Sequence, residues 1–245
     1  VFKRDVVDST SDLARQLIDT SSAPLPLVVC ADRQTRGRGR GTNLWWSDEG
    51  SLTFTIALDP AAHALRPEHE PRLALATAVA IVDAISPAGL TEPLGIRWPN
   101  DIEAGGRKLG GILPERAVTP LGPRILIGVG LNVATDLNDA PPEVRHMATS
   151  LWELRDIANP PDEVDHLLYA ILDRFPVAME QLAQDDPALA ARWRALDRLR
   201  DQTLRVDLGP RIVAGLGRGI DREGALCLAS DEGPVRLFGG RVLRS

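Results

Sequence analysis

Cysteine is almost missing from this chain: two residues, Cys30 and Cys227, in 245. Each sits in an apolar stretch far from the other, which fits buried free thiols in a reducing, cytoplasmic setting better than a disulfide. The four histidines fall at no ligand spacing with the cysteines, so a structural zinc site is not expected. There is no basic excess either. With 34 acidic against 28 basic residues the formal net charge is −6, which argues against whole-surface attraction to nucleic acid or to an anionic membrane. No run reaches the roughly 18 apolar residues of a membrane helix. The opening Val1-Phe2-Lys3-Arg4-Asp5 has no apolar stretch of the signal-peptide kind. It begins with Val rather than Met, and whatever precedes Val1 is not legible here.

What is present is an ordinary globular composition, 44% hydrophobic and 25% charged, at a length that suits one main domain with a smaller companion. Ser9-Thr10-Ser11-Asp12 offers N-cap side chains to a helix with apolar Leu13, Leu17 and Ile18. Residues 26–31 read as a buried strand, and residues 34–50 as a loop without period. Leu52–Leu58 alternates with period two, as a strand with one buried face does. A helix is expected from about Pro71 to Ile85, then strands at 94–98, 108–113 and 125–133. The region 161–199 is helical in pattern, with a second helical piece around Leu189, Trp193 and Leu196. After Leu199 short β-type runs at 204–206, 212–214, 225–228, 235–238 and 241–243 are separated by Gly and Asp, as in a small barrel. The domain boundary is placed near 200, giving units 1–200 and 201–245.

The most unusual segment is Gln34-Thr35-Arg36-Gly37-Arg38-Gly39-Arg40-Gly41-Thr42-Asn43-Leu44-Trp45-Trp46-Ser47. Glycines let a backbone approach a ligand closely, and arginine forks stabilise carboxylate or phosphate oxygens. Taken alone it fits a solvated surface loop as well as an anion-binding one. RNA binding of the Arg-Gly kind is disfavoured by the acidic chain and by the paired tryptophans, which suggest packing against a core.

Arg97-Trp98-Pro99-Asn100-Asp101 closes a predicted strand, where binding groups commonly project in α/β folds. Asn100 has hydrogen-bonding capacity for a ligand, and Asp101 is the candidate for a Mg²⁺ or a hydroxyl. The same residues are also good turn chemistry. Lys108 leads into an apolar strand, an arrangement suited to stabilising charge on a phosphoryl or carboxyl oxygen. Ile127-Gly128-Val129-Gly130-Leu131-Asn132 puts two glycines on one strand, leaving room for something planar or for close packing of strands.

In their order and spacing these blocks resemble the biotin–protein ligase family. Its pattern runs D-S-T-N, Q-x-x-G-R-G-R, W-x-S, K-W-P-N-D, R-K-L-x-G-I-L and I-G-x-G-x-N. The matching segments are Asp8–Ser11; Gln34 with Gly37–Arg40; Trp45 and Ser47; Arg97–Asp101; Arg107–Leu113; and Ile127–Asn132. Arg192–Asp197, Gly219–Leu226 and the terminal Arg244-Ser245 carry the resemblance to the end of the chain. Departures are Ser11 for Asn, Arg97 for Lys, and Gly41-Thr42-Asn43 in place of a more basic continuation.

The resemblance implies an α+β fold: a mixed β-sheet catalytic domain of the biotin/lipoate ligase type with helices on one side, plus a small C-terminal β-barrel of the Src-homology-3-like kind. It implies a form without the N-terminal DNA-binding domain, with no DNA and no membrane partner; a homodimer is a state that this fold admits. The implied activity is ATP-dependent adenylation of biotin, with Mg²⁺, and transfer to a lysine of a biotin-carrier domain. Lys108, Arg40 and Asp101 are the expected catalytic residues. Ser9, Thr10, Ser11, Gln34, Arg38, Gly39, Arg40 and Lys108 are expected to bind biotin. Arg38, Asn100, Asn132 and Arg244 are expected on the ATP side. The rival readings are a lipoate–protein ligase and a non-catalytic biotin-binding relative.

Overall fold

A computed structural model describes residues 1–20, 24–85, 89–155 and 163–243. Its strands are β1 (Phe2–Val7), β2 (Leu27–Gln34), β3 (Gly37–Arg38), β4 (Leu44–Trp45), β5 (Ser51–Leu58), β6 (Leu94–Arg97), β7 (Asp101–Ala104), β8 (Arg107–Thr119) and β9 (Gly122–Asn132). Then come β10 (Thr203–Asp207), β11 (Ile212–Ile220), β12 (Leu226–Ser230), β13 (Gly233–Leu237) and β14 (Arg241–Val242). The helices are α1 (Thr10–Thr20), α2 (Leu73–Ala84), α3 (Pro142–Arg145), α4 (Leu151–Arg155), α5 (Glu163–Ala183) and α6 (Pro187–Leu196). Pro71 lies in a 3-10 turn, Pro67–Arg72, and the α-helix proper starts two residues later at Leu73.

A seven-stranded mixed sheet runs in the order β1-β2-β5-β9-β8-β7-β6, with β1 and β2 parallel and the other neighbours antiparallel. Period-two alternation assigns its faces. Leu52, Phe54, Ile56 and Leu58 of β5 join Ile125, Ile127, Val129 and Leu131 of β9 in the main core, under α2, α5 and α6. Ala57 and Leu126 point the other way and pack with Ala14 and Ile18 of α1. The large helices therefore lie on one side, as expected, while α1 lies on the other. That is why β5, expected to bury one face, is buried on both. α2 is buried at ten consecutive positions from Leu73 to Val82, sandwiched between the sheet and α5.

The C-terminal strands form one five-stranded antiparallel sheet in the order β13-β12-β11-β10-β14. The expected barrel is not closed. β14 is two residues long and its only pairing among the described residues is to β10, leaving no ladder to join the two edges. Hydrogen bonds tie this sheet to the end of β6 and to α6: Trp98 Nε1 donates to the Gly224 carbonyl (3.0 Å), Trp193 Nε1 to the Asp221 carbonyl (3.2 Å), and Arg194 Nε to the Ile220 carbonyl (3.3 Å). Cys30 is buried as expected, whereas Cys227 is only half-buried; both are free thiols.

Candidate active site

The face of the large sheet that carries α1 is floored by small residues. Cross-strand register lines up Ala31, Thr53, Gly130, Gly111 and Asp101 across five strands, and next to this row Val29, Thr55, Gly128 and Leu113. With strands about 4.8 Å apart, Gly130 lies about 10 Å from Asp101, two strand spacings. The glycines keep the floor low. A Cβ on Gly130 would meet the Trp45 ring at 2.3 Å, one on Gly128 would meet Ser11 Oγ at 2.8 Å, and one on Gly111 would meet Lys108 Nζ at 3.1 Å.

At one end of this groove is a buried polar cluster at the start of α1. The Gln34 Oε1 accepts from the Thr10 backbone N–H (2.8 Å) and from its hydroxyl (3.2 Å). Thr55 Oγ1 sits within 2.9 Å of the Thr10 hydroxyl and 3.0 Å of the Ser11 hydroxyl. Ser47 Oγ accepts from the Gln34 N–H (2.9 Å). Ser9, Thr10, Ser11, Ser47 and Thr55 are all buried. Hydroxyls and amides can each donate and accept, so such a cluster can re-pair around a neutral polar ligand at little cost.

At the other end Lys108 Nζ pairs with Asp101 Oδ1 at 2.7 Å and stands 5.7 Å from the centre of the Trp45 ring. The backbone on both sides of Lys108 is clamped by residues 147–149: its N–H donates to Met147 (2.7 Å) and its carbonyl accepts from Thr149 (2.9 Å). Asn132, buried, donates from Nδ2 to the Thr149 carbonyl (3.0 Å), and Asn100 donates from Nδ2 to the Ile112 carbonyl (2.9 Å). Both amides therefore brace the backbone around Lys108.

The Gly-Arg segment, read as structureless, contains a short hairpin. β3 pairs with β4 through Gly37↔Trp45 and Arg38↔Leu44, and Gly41 turns it at φ +66°. Gly37 is obligatory there, since a Cβ would fall 2.4 Å from the Trp45 carbonyl oxygen. This flap lays the Trp45 ring over Gly130, with the indole nitrogen buried and without a hydrogen-bond partner. Its two arginines diverge. Arg38 makes a two-pronged ion pair with Glu115 on β8 (2.8 and 2.5 Å), and Arg40 donates to the Gly240 carbonyl of the small sheet. Gly39 donates its N–H to Asn43 (2.8 Å), closing the flap. An open hollow of about 340 Å³ beside it is lined by Arg38, Gly39, Leu44, Leu113 and Glu115 among others.

The structure thus brings Ser9, Thr10, Ser11 and Gln34 together, and Lys108 with Asp101, on one face. The cations Arg38, Arg40 and Lys108 each have a different partner. Arg244 lies outside the described residues. Among the described residues no group of three His, Cys, Asp or Glu side chains is placed to hold a metal ion. Asp101, already paired with Lys108, is a single carboxylate, which suits a Mg²⁺ carried mainly by phosphate oxygens and water but not a protein-built cage. Thr55 and Glu115 were not singled out from sequence. Thr55 had a legible signal: polar residues on alternate positions opposite Leu52, Phe54 and Ile56. Glu115, one acid in a charged stretch, had none.

Three comparisons bear on this site. The family model described as "Biotin/lipoate A/B protein ligase family" matches residues 4–132. Over 245 residues the chain is 33% identical to a biotin–[acetyl-CoA-carboxylase] ligase of Mycobacterium tuberculosis, covering 98% of this chain and 88% of that protein. It is 30% identical over 244 residues to the bifunctional ligase/repressor BirA of Bacillus subtilis, covering 97% of this chain and 72% of that one. Among solved structures, the biotin protein ligase from Aquifex aeolicus in complex with biotin and ATP superposes with a TM-score of 0.82 at 22% identity, covering all of this chain and 98% of that one.

Proposed function

The chain belongs to the biotin/lipoate A/B protein ligase family, and from that premise we propose that it is a biotin–protein ligase. The reaction has two steps. A carboxylate oxygen of biotin attacks the α-phosphorus of ATP and pyrophosphate leaves. The lysine amine of a carrier domain then attacks the acyl carbon of biotinyl-5′-AMP, forming an amide and releasing AMP.

One observation carries this reading: a floor of glycines, covered at Gly130 by Trp45, with a neutral polar cluster at one end and Lys108 at the other. Biotin has the same polarity, a neutral ureido ring joined by an aliphatic chain to a carboxylate. Ser9, Thr10, Ser11 and Gln34, with Thr55, are proposed to hold the ring. A ligand lacking the ring's donors and acceptors would leave these buried groups unpaired, which is the basis of selectivity. Lys108 is the proposed cation for the carboxylate and the α-phosphate, two anions that repel until a fixed charge offsets them. Asp101 holds that amine in place at 2.7 Å. Arg40, at the outer end of the flap, is proposed to turn from the small sheet to the nucleotide, and Asn100, Asn132 and Arg244 complete the nucleotide side. Asp101 is the carboxylate that would help hold a Mg²⁺ brought by ATP, which would supply neutralisation of the phosphate oxygens. Trp45 and the flap cover the groove and keep water from the mixed anhydride.

Residues 1–200 are the proposed catalytic unit, and a biotin-carrier domain is the proposed acceptor. No helix among the described residues is long and apolar enough to cross a membrane; a cytoplasmic setting is part of the proposal. The test is direct. The purified chain is incubated with ATP, Mg²⁺, a carrier domain, and either biotin or lipoate. Acid-stable label from biotin alone is expected. Label from lipoate instead, or no label, would overturn the reading in favour of a lipoate ligase or a non-catalytic relative.

A further inference from the structure

The flap can close the groove only if something fixes it relative to α1, because its own hairpin is two residue pairs long. The Arg38 guanidinium supplies such a connection. Nη1 and Nη2 donate to the two carboxylate oxygens of Glu115 at 2.8 and 2.5 Å, and Nη2 is also 3.2 Å from Asp12 Oδ1 in the first turn of α1. Arg15, one turn further along α1, approaches Glu115 at 3.8 Å. Two cations and two carboxylates are therefore gathered where flap, α1 and β8 meet, and their formal charges cancel. Arg38 Nε is buried and without a partner. Both prongs of the Arg38 fork are thus engaged by carboxylates.

We infer that the Arg38 side chain acts as the anchor of the flap, and that Glu115, assisted by Asp12, is the positioning residue it acts through. A planar two-pronged pair fixes orientation as well as distance, which one point charge does not do. Through it the flap is set against the same helix start that carries Thr10 and Ser11. The clamp thus fixes the separation between Trp45 over Gly130 and the polar cluster beside Gly128. On this account Glu115 touches no reacting atom, and Arg38 contributes to catalysis by holding a cover in register.

The inference rests on the ligase reading only for its kinetic arm, so a structural measurement runs beside it. Arg38→Met, Glu115→Gln and the double variant are prepared, with thermal unfolding to confirm that each is folded. Backbone hydrogen exchange at residues 37–45 is followed in the ligand-free chain, and biotin KM and kcat are measured for adenylate formation. Losing a charge-assisted pair of this kind is expected to raise both flap exchange and biotin KM about tenfold in each single variant, with kcat changed less than about threefold. The double variant should be no worse than the Arg38→Met variant, because both changes break one connection.

Two results would overturn the inference. In the first, Arg38→Met lowers kcat strongly while flap exchange stays at the parent level, as for an arginine that grips the reacting anions directly. In the second, Glu115→Gln leaves flap exchange unchanged or lowers biotin KM, as for a carboxylate that competes with the ligand. A parent chain with no ligase activity would remove the proposed function, and the exchange cycle would still decide the anchor.

Discussion

Placing one methyl group on Gly130 tests the groove as a physical object. The added Cβ would stand 2.3 Å from Trp45 Cε2, 2.7 Å from Nε1 and 2.8 Å from Cδ2. Ordinary carbon contacts begin near 3.5 Å, so the ring has to retreat by about 1.2 Å, the difference between 3.5 and 2.3. Overfilling a packed site costs about 1–3 kcal/mol, and the lower half of that range applies because Trp45 sits on a two-residue strand of the flap rather than in the core. If ligand binding needs the ring seated, about 1–2 kcal/mol appears as a roughly 5- to 30-fold rise in biotin KM. The neighbouring glycines give a graded comparison. Gly128→Ala displaces Ser11 Oγ and its 3.0 Å contact with Thr55, about 1 kcal/mol. Gly111→Ala meets the end of the Lys108 chain, which can swing, and touches Asp101 Oδ1 at 3.5 Å, so its effect should fall on kcat. Gly110→Ala is the control: its Cβ would face Leu131 in the main core, lowering stability without a selective effect on biotin. Adenylate formation and thermal unfolding on the four variants measure both quantities. A Gly130→Ala protein with the parent's biotin KM and the parent's midpoint would refute the seating of Trp45 on the floor.

Three further outcomes follow from the same geometry. Lys108→Ala should lower adenylate formation by about 10²- to 10³-fold, measured under single-turnover conditions, since it removes the fixed charge proposed for the reacting oxygens. Trp98→Phe deletes the 3.0 Å bond to Gly224 at a buried site, costing about 1–2 kcal/mol and roughly 2–8 °C of melting temperature, read by calorimetry. His69 is fully buried, with its Nδ1 accepting from the Arg66 N–H; burial first, then Arg72 and Arg66, hold its pKa below the ordinary value. The unfolded chain therefore takes up a proton near pH 6.5 that the folded chain refuses. Stability should fall as pH drops below about 6.5 and level off once the folded state also protonates. Asp185, held below the usual carboxylate range first by its hydrogen bond from Arg72, contributes stability that is lost only at lower pH. In urea titrations His69→Asn should flatten the upper of these two windows.

Much of the candidate site is legible in the sequence because its parts lie on regular elements. Alternation along 52–58 and 125–133 identifies two central strands, and the order of blocks from Asp8 to Asn132 is enough to name the residues that register then lines up. The rest depended on tertiary partners. The alternation that sets Thr53 and Thr55 opposite Leu52, Phe54 and Ile56 marks a polar strand face, but that this face is buried shows only once α1 is known to lie on it. The hairpin inside 34–50 has no apolar period, because it is held by backbone pairing and by Glu115, 77 residues from Arg38. By its apolar run β8 should end at Leu113, since Pro114 and the charged residues after it break the pattern; pairing with β9 carries it to Thr119. The closed barrel was inferred from the rhythm of short strands, and rhythm does not reveal whether two edges meet.

Trp98 also bears on how damage elsewhere in the molecule would read out. Its indole hydrogen bond reaches the Asp221–Ala225 turn of the small sheet, and Asp101 follows only three residues later. A random-mutagenesis screen scored by loss of activity should therefore recover substitutions in that distant turn, and they would look like binding-pocket lesions in kinetics while mapping outside the pocket. Anyone interpreting natural variants of this chain should expect the hairpin around Gly224 to behave as part of the floor beneath Asp101.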